Sequence, residues 1–552
     1  MANICLSDLA SMLGSKCVSD MAQIAGLNGR PVCARSLGNG VTFHYNPARL
    51  GGGAGAPSGS LWKKQIGVSL GSTVRGAPLF VNGWLFRNGP HAGETHDMVY
   101  IGTTDNRVIA YAEDRLLTGD STSFWTVSLG PPVTRSGSNF DSARLPPQIG
   151  ITSSPVLDLV NSRLFVCSYQ DAGGGNSLYR MVALDMDSGG VLQSEMLNDT
   201  GAAGRPAFDP NTHDQRGGLN LVDGHVYATF AAFLAYDKGV YHGWVVGCDA
   251  DDLSVQGYFS TTRNVLAGGV WGPGGAASKD GILYIATGNG TNDASGADIP
   301  DSYWNSLPPG SHPGDIGDYF IAVVKLGVTW TGNVGRMTVL DWYQPTNAKL
   351  LNDNDKDLGG SSCLLLPDIG GMGLIVLSAK NDVYLLNRNN LGHWGGELWS
   401  RHVFGVNMKD ESKCAPAYYL TPDGDHYVYF SGGGSPGLIC YKVVVNGGTA
   451  SLSEVWRAAG GRVSFQETCG SPTIGSVASP SPYALVWVVE RPDPSGVGVL
   501  HAYDALTGNE VYNSNTLPID SLGAVPHFAP VTSAGSSIYV GTSDGFALYR
   551  AS

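Results

Sequence analysis

Residues 76–128 read GAPLFVNGWLFRNGPHAGETHDMVYIGTTDNRVIAYAEDRLLTGDSTSFWTVS. Small residues and Pro78 open the stretch, an apolar run passes through Tyr100, a third run (VIAYAED) follows a tight turn, and a fourth carries Trp125. Alternating apolar runs of strand length, separated by turn residues, predict β-strands that each bury one face. The unit then repeats. Its opening element returns as SSPVL at Pro155, CAPAY at Pro416, GSPTI at Pro472 and FAPVT at Pro530, with QPTN at Pro345 as a variant. GGLNL at Gly217, GGAAS at Gly274 and GSSCL at Ser361 are proline-free equivalents. The large second-strand residue returns at Phe165, Tyr227, Tyr284, Ile375, Tyr429, Trp487 and Tyr539, about 60 residues apart, with one longer interval after Tyr284. Third strands end in turns such as ALDMDSG (183–189) and AYDALTG (502–508), and Trp125, Trp342, Trp399 and Trp456 mark outer strands. This order predicts an all-β chain: an eight-bladed β-propeller of four-stranded antiparallel blades.

The two ends each supply part of a unit. Residues from Phe528 to Ser552 hold inner strands without an outer Trp strand, and LWKKQIG at Trp62 is an outer strand without inner partners. Pairing these N- and C-terminal strands closes an eighth blade and removes the exposed sheet edges. The propeller then spans residues 60–552, behind an N-terminal extension of residues 1–59. Within that extension, residues 4–26 place Leu6, Leu9, Met12, Leu13, Val18, Met21 and Ile24 on one face of a helix, and Gly51–Ser60 has the composition of a flexible linker. The long interval after Tyr284 contains a loop over 288–318, too long for a hairpin and of the kind that carries binding.

Composition narrows the function classes. The 552 residues include 77 Gly and 30 Pro, and only 14% are charged, against about 25% in average domains. The 42% hydrophobic content suffices for a large core. A net charge of −14 without a basic cluster argues against nucleic acid as a partner, and no apolar run is long enough for a membrane-spanning helix. Nine scattered cysteines form no CxxC, so their spacing supports neither a zinc site nor an attached haem; they read as buried or half-buried thiols, with one or two bridges left open. MANICLSDLASMLGSKC lacks the charged-then-apolar pattern of a secretory leader, which leaves the compartment open.

The repeat, with its ALDMDSG and AYDALTG turns followed by Trp strands, resembles that of the eight-bladed quinoprotein propellers, the PQQ-dependent alcohol and polyvinyl-alcohol dehydrogenases, over residues 61–552. The resemblance implies an oxidoreductase using PQQ and Ca2+, which takes hydride from an alcohol or sugar hydroxyl and passes electrons to an external acceptor. It also implies roles by position. In GGVWGPGGAASKDGILYIATGN (268–289), Trp271 matches the floor under the quinone and Asn289 a calcium ligand. In YQPTNAKLLNDNDKDLGGSS (343–362), Asp357 matches the general base and belongs to the metal environment, with Asp355 and Asp353 as fallbacks. Lys380 in LSAKNDVYLLNR matches the cation against the quinone oxygens, and Thr152 in GITSSP a hydroxyl bonded to the cofactor. The chemistry is coherent: an indole stacks on a flat ring, a carboxylate removes a hydroxyl proton, and a cation stabilises charge on the reduced quinone.

Departures from that pattern are equally specific. Where the resemblance puts a glutamate ligand, CSYQDAGGGNSLYR offers Gln170 and Asp171. No two cysteines are adjacent and no CxxCH occurs. These departures support a second reading, a non-catalytic propeller acting as a binding or assembly scaffold through the N-terminal extension or the 288–318 loop. Each site residue also has a structural alternative: core packing for Trp271, turn capping for Asn289, an Asx turn for Asp357 and an ion pair with it for Lys380. Arg216, His242 and His527 are further candidates for the axial opening, although His527 reads more readily as a core histidine.

Overall fold

The computed structural model describes residues 41–551 apart from 45, 55–58, 60, 136–145, 202–204, 234–236, 333, 406–409, 435–436, 459–464, 466–468, 477–482, 492–495 and 535. The helix expected over 4–26 lies outside the described residues, as do Cys5, Cys17 and Cys33.

Eight four-stranded blades follow one another. In blade 1, Leu79–Leu85, Thr95–Gly102, Arg107–Ala112 and Trp125–Ser128 pair antiparallel in order, so Leu79, Tyr100, Ala110 and Trp125 form one row across the sheet. Blades 2 to 7 repeat this from innermost strands Val156–Asp158, Asn220–Val222, Ala277–Lys279, Leu364–Leu365, Ala417–Leu420 and Thr473–Ser476. Blade 8 takes Val531–Ala534, Ser537–Gly541 and Gly545–Ala551 from the C-terminal end, and its outer strand is Trp62–Ser69. That strand pairs antiparallel from Trp62↔Ala551 to Ser69↔Gly545, the closure expected from the sequence.

Burial is divided by joint. Eight apolar clusters each bridge one pair of neighbouring blades. The closing joint is packed like the others, with Tyr539 and Phe546 of blade 8 against Phe80 and Ile109 of blade 1. The six described cysteines are free and buried. No helix among the described residues is long and apolar enough to cross a membrane.

The turn signature has a physical cause. Trp125 Nε1 donates to Met186 O at 3.0 Å across the joint between blades 1 and 2. Gly189, at φ 72°, faces that indole so closely that a Cβ would stand 2.6 Å from it. Trp456 repeats the arrangement between blades 6 and 7, donating to Ala505 O at 2.9 Å beside Gly508, whose φ is 70° and whose Cβ would also meet the ring at 2.6 Å. Gly508→Val is therefore expected to cost about 2–4 kcal/mol, since a β-branched residue resists positive φ and the ring must move. Urea unfolding of this variant should show a lower midpoint, with a smaller increment when Trp456→Ala has already removed the ring. Equal increments in both backgrounds would refute the ring contact as the cause.

The central channel is occupied by the chain's own N-terminal part. The innermost strand of each blade presents a free edge to the axis, and residues 41–44 and 46–54 run along these edges as an axial arm. Leu157 N donates to Val41 O at 2.9 Å in blade 2, and Thr42 Oγ1 donates to Leu219 O at 2.6 Å beside blade 3. Ser278 N donates to Pro47 O at 2.6 Å, Leu365 N to Ala48 O at 3.1 Å, Tyr418 N to Leu50 O at 2.8 Å and Ile474 N to Gly51 O at 2.8 Å. Those four bonds lie in blades 4, 5, 6 and 7 in turn. Gly52–Ala54 then pairs parallel with Ile474–Ser476. The composition of 51–60 predicts a flexible linker; residues 51–54 are instead pinned to blades 6 and 7. Arg49 fixes the arm from within: Nη1 reaches Thr42 Oγ1 at 3.1 Å and Phe43 O at 2.9 Å, and Nη2 reaches Gly218 O at 3.0 Å and Leu219 O at 3.1 Å.

Candidate functional site

Loops of blades 3, 4 and 5 converge beside the arm. Helix Ala348–Asp353 leads into the 355–357 loop, and Asn352 ties it to blade 4 by donating to Gly290 O at 3.0 Å and accepting from Gly290 N at 2.8 Å. The turn between Leu374–Ser378 and Asp382–Asn387 carries Lys380, whose backbone N donates to Asp357 O at 3.2 Å. Trp271 lies against Gly360, where a Cβ would stand 2.8 Å from the indole.

These elements assemble four of the five residues singled out from the sequence. Trp271 Nε1 donates to Asp357 Oδ2 at 3.3 Å. Lys380 Nζ bonds Asp355 Oδ1 and stands 3.6 Å from Asp357 Oδ1. Asn289 Nδ2 donates to Asp355 Oδ1 at 2.7 Å and to Asp237 Oδ2 at 3.2 Å. Asp237, which the sequence reading missed, joins from the blade 3 loop, where the buried Tyr241 hydroxyl donates to its Oδ1.

The charges interlock. Burial first, and repulsion from Asp355 and Asp237 after it, push the Asp357 carboxyl up to about 7, against the pull of Lys380. Burial also opposes ionisation of Asp355, yet the Lys380 charge and hydrogen bond hold it below the usual carboxylate range. Desolvation raises Asp237. Burial alone would lower Lys380, but Asp357, Asp355 and Glu411 together raise it, so it stays an ammonium. Glu411 itself is taken by Lys356 at 2.6 Å and Lys413 at 3.1 Å.

Thr152 sits apart from this cluster, in a small adjoining recess of about 20 Å³ lined also by Phe43, Arg75, Ser154, Arg216 and Phe528. Its hydroxyl donates to Gln215 O at 2.6 Å. Arg216 connects the two regions: its guanidinium lies 5.3 Å from the Trp271 ring centroid and 3.8 Å from that of Phe528. Lys380 Nζ stands 5.8 Å from the same indole centroid. His527 lines the recess as well. His242 does not; its Nδ1 meets Thr262 Oγ1 at 2.7 Å and its carbonyl faces His213 Nε2 at 2.9 Å. Asp353 is spent on Lys349 at 2.6 Å. Arg75 escaped the sequence reading although it stands directly before the GAPLF element that opens the repeat.

The metal environment expected around Asn289 and Asp357 differs from a calcium shell. Calcium takes about six to eight oxygen ligands. Asn289 turns its amide nitrogen, not its oxygen, toward the carboxylates. Gln170 donates to Leu129 O at 2.5 Å and to Ser168 Oγ at 2.7 Å, and Asp171 is exposed at the end of its blade 2 strand. Among the described residues no three His, Cys, Asp or Glu side chains gather as metal ligands. Asn289 Oδ1 and Asp357 Oδ1 are both buried without a hydrogen-bond partner, but two such oxygens fall well short of the shell the ion takes.

Among solved structures, the chain is similar to the quinohemoprotein alcohol dehydrogenase from Comamonas testosteroni, at TM-score 0.57 and 14% identity, over 96% of this chain and 83% of that one. The quinohemoprotein alcohol dehydrogenase ADHIIG from Pseudomonas putida HK5 aligns at TM-score 0.52 and 13% identity, over 96% and 81%. The chain shares their fold. No protein-family model and no curated protein matches it. At these identities the likeness carries the propeller; the chemistry rests on the side chains of this site.

Proposed function

We propose that the protein is a quinone-dependent oxidoreductase that oxidises an alcohol or sugar hydroxyl and passes the electrons to an external acceptor. The observation that carries this reading is Asp357: a buried carboxylate whose Oδ1 accepts no hydrogen bond, set between Lys380 and Trp271 and beside a cationic recess. The side-chain types suit a planar quinone bearing carboxylates, such as PQQ, but the recess is only about 20 Å³, so Phe43 and its neighbours must move apart for the ring to enter. Arg75 and Arg216 supply positive charge, Thr152 and Ser154 supply hydroxyls, and Trp271 and Phe528 supply ring faces. When bound, such a quinone supplies the two-electron acceptor for hydride.

The chain's own groups do the rest. Asp357 Oδ1 takes the substrate hydroxyl proton, and a carboxyl held near 7 is matched to that task at neutral pH. Trp271 holds the other oxygen through its indole N–H, which fixes the direction of the free one. Lys380 keeps Asp355 as a partner when Asp357 becomes neutral, so its charge stays in place through the step. On this reading the next electron carrier is another molecule, in keeping with the lack of a CxxCH motif in these residues.

Calorimetric titration with PQQ tests the reading. Wild-type protein should bind, and Arg75→Ala should weaken binding by about tenfold or more, as loss of a charge-assisted contact does. A folded wild-type protein that takes up no PQQ would end this reading and leave the non-catalytic scaffold.

A further inference from the structure

Most of the acidic oxygens around Lys380 already take donors from the protein, Asp357 Oδ1 being left without a hydrogen bond of its own. Asp237 receives the Tyr241 hydroxyl on one oxygen and the Asn289 amide on the other. Asp355 Oδ1 receives both the Asn289 amide and the Lys380 ammonium. Asp357 receives the Trp271 indole on Oδ2 and faces the same ammonium from Oδ1. Lys380 is the cation common to this group, because Lys356 and Lys413 are both engaged with Glu411. The Asn289 amide nitrogen serves two of these carboxylates, and its Oδ1 is left buried without a partner.

We propose that the Lys380 ammonium takes the place of a divalent cation, so that the site binds its cofactor and works without a metal ion. A tethered ammonium lies close to both Asp355 and Asp357 and brings one positive charge where a calcium ion would bring two. It needs no further oxygen ligands, which accounts for Gln170 being free to tie its strand to the segment after blade 1. The cofactor half of the proposal rests on the quinone reading above; the metal half stands on the side chains alone.

Terbium luminescence, sensitised through Trp271, separates the two. Full-length wild-type protein should show no saturable Tb3+ signal that Ca2+ competes away and Asn289→Ala abolishes. Lys380→Met leaves three carboxylates without their cation, and should gain a Ca2+-competed Tb3+ site at least about tenfold tighter than any in wild type. Lys380→Arg keeps the charge and should remain without the site, so the comparison survives if the methionine variant does not fold. A wild-type Tb3+ site lost in Asn289→Ala would overturn the proposal. PQQ titrated into chelator-treated protein should bind as it does with added Ca2+, and binding only with Ca2+ would equally overturn it. Absence of PQQ binding under both conditions retires the quinone reading, while the terbium result still decides the question of the metal.

Discussion

Asp357→Asn should lower dye-linked alcohol oxidation by about 10²–10⁴-fold, the range for loss of a general base, with PQQ binding and far-UV circular dichroism retained. The asparagine keeps the shape and the Trp271 contact but cannot take a proton. In the wild-type protein the rate should rise with pH through about 7, since the base must be ionised. Stability should run the opposite way. The Asp357 carboxyl lies higher in the folded chain than its ordinary value of 3.8, so the folded state keeps a proton that the unfolded state has lost. The favourable contribution is whole below the ordinary value and is lost as pH rises through the folded value. Asp357→Asn removes that loss, and chemical unfolding should find it about 1–2 kcal/mol more stable than wild type at alkaline pH, with no such advantage in acid. The full displacement is worth more, but the substitution also takes a partner from Lys380. Undiminished turnover in the variant would eliminate Asp357 as the base. A loss of turnover together with loss of folded signal would show a structural part instead.

Arg49→Ala carries the largest expected cost in stability, about 3–5 kcal/mol, because a fully buried guanidinium leaves and the carbonyls it served stay behind. Phe43 O, Gly218 O and Leu219 O all lose a donor, and the last two belong to blade 3 rather than to the arm. Burial has already drawn Arg49 down to about 9, and it holds the neighbouring His44 imidazole down to about 3, with the Arg49 charge adding to the effect. The ion is tolerated because carbonyl dipoles surround it. Arg49→Lys keeps a charge but not the planar fork, and should recover only a minor part of the loss. Arg87→Ala, an exposed control, should change stability by less than about 0.5 kcal/mol. Urea unfolding orders the three. An Arg49→Ala protein as stable as wild type would mean that the arm contributes nothing to holding the ring.

Blade number and closure were legible because they rest on a local period. Four short alternating runs and a turn repeat along the chain, and the half-units at Trp62 and Phe528 have no other partners in sequence. The Trp–Gly latch was visible as a recurring signature, while its cause, a ring of one blade seated on a glycine turn of the next, is a distance across a joint. The arm was illegible for a related reason. Its Gly-rich, unpatterned composition reads as linker, yet its bonds are to backbone edges contributed by six separate blades, and edges leave no mark in side-chain pattern. The fold brings Trp271, Asn289, Asp357 and Lys380 together at the site, and all four were singled out through the family resemblance. Asp237 and Arg75 were not, because their relevance comes from loops that meet only in three dimensions. The expected calcium shell came from the same resemblance, and the number of oxygens left without partners, on which it depends, is not written in the sequence.

The axial arm also dictates an order of events during synthesis. Its first contacts are with blades 2 and 3, but its course ends on Ile474–Ser476 of blade 7, and the next strand, Trp62–Ser69, waits for Gly545–Ala551. Almost the whole chain must leave the ribosome before either segment has a complete partner. The end of the arm and Trp62–Ser69 are thus among the last of the described segments to gain a complete partner, and until then the ring stays open. Contacts of this sequence separation slow folding and expose strand edges to other chains. The nascent protein is consequently most exposed to aggregation just before its final strands emerge, and a chaperone that shields inner edges would act there.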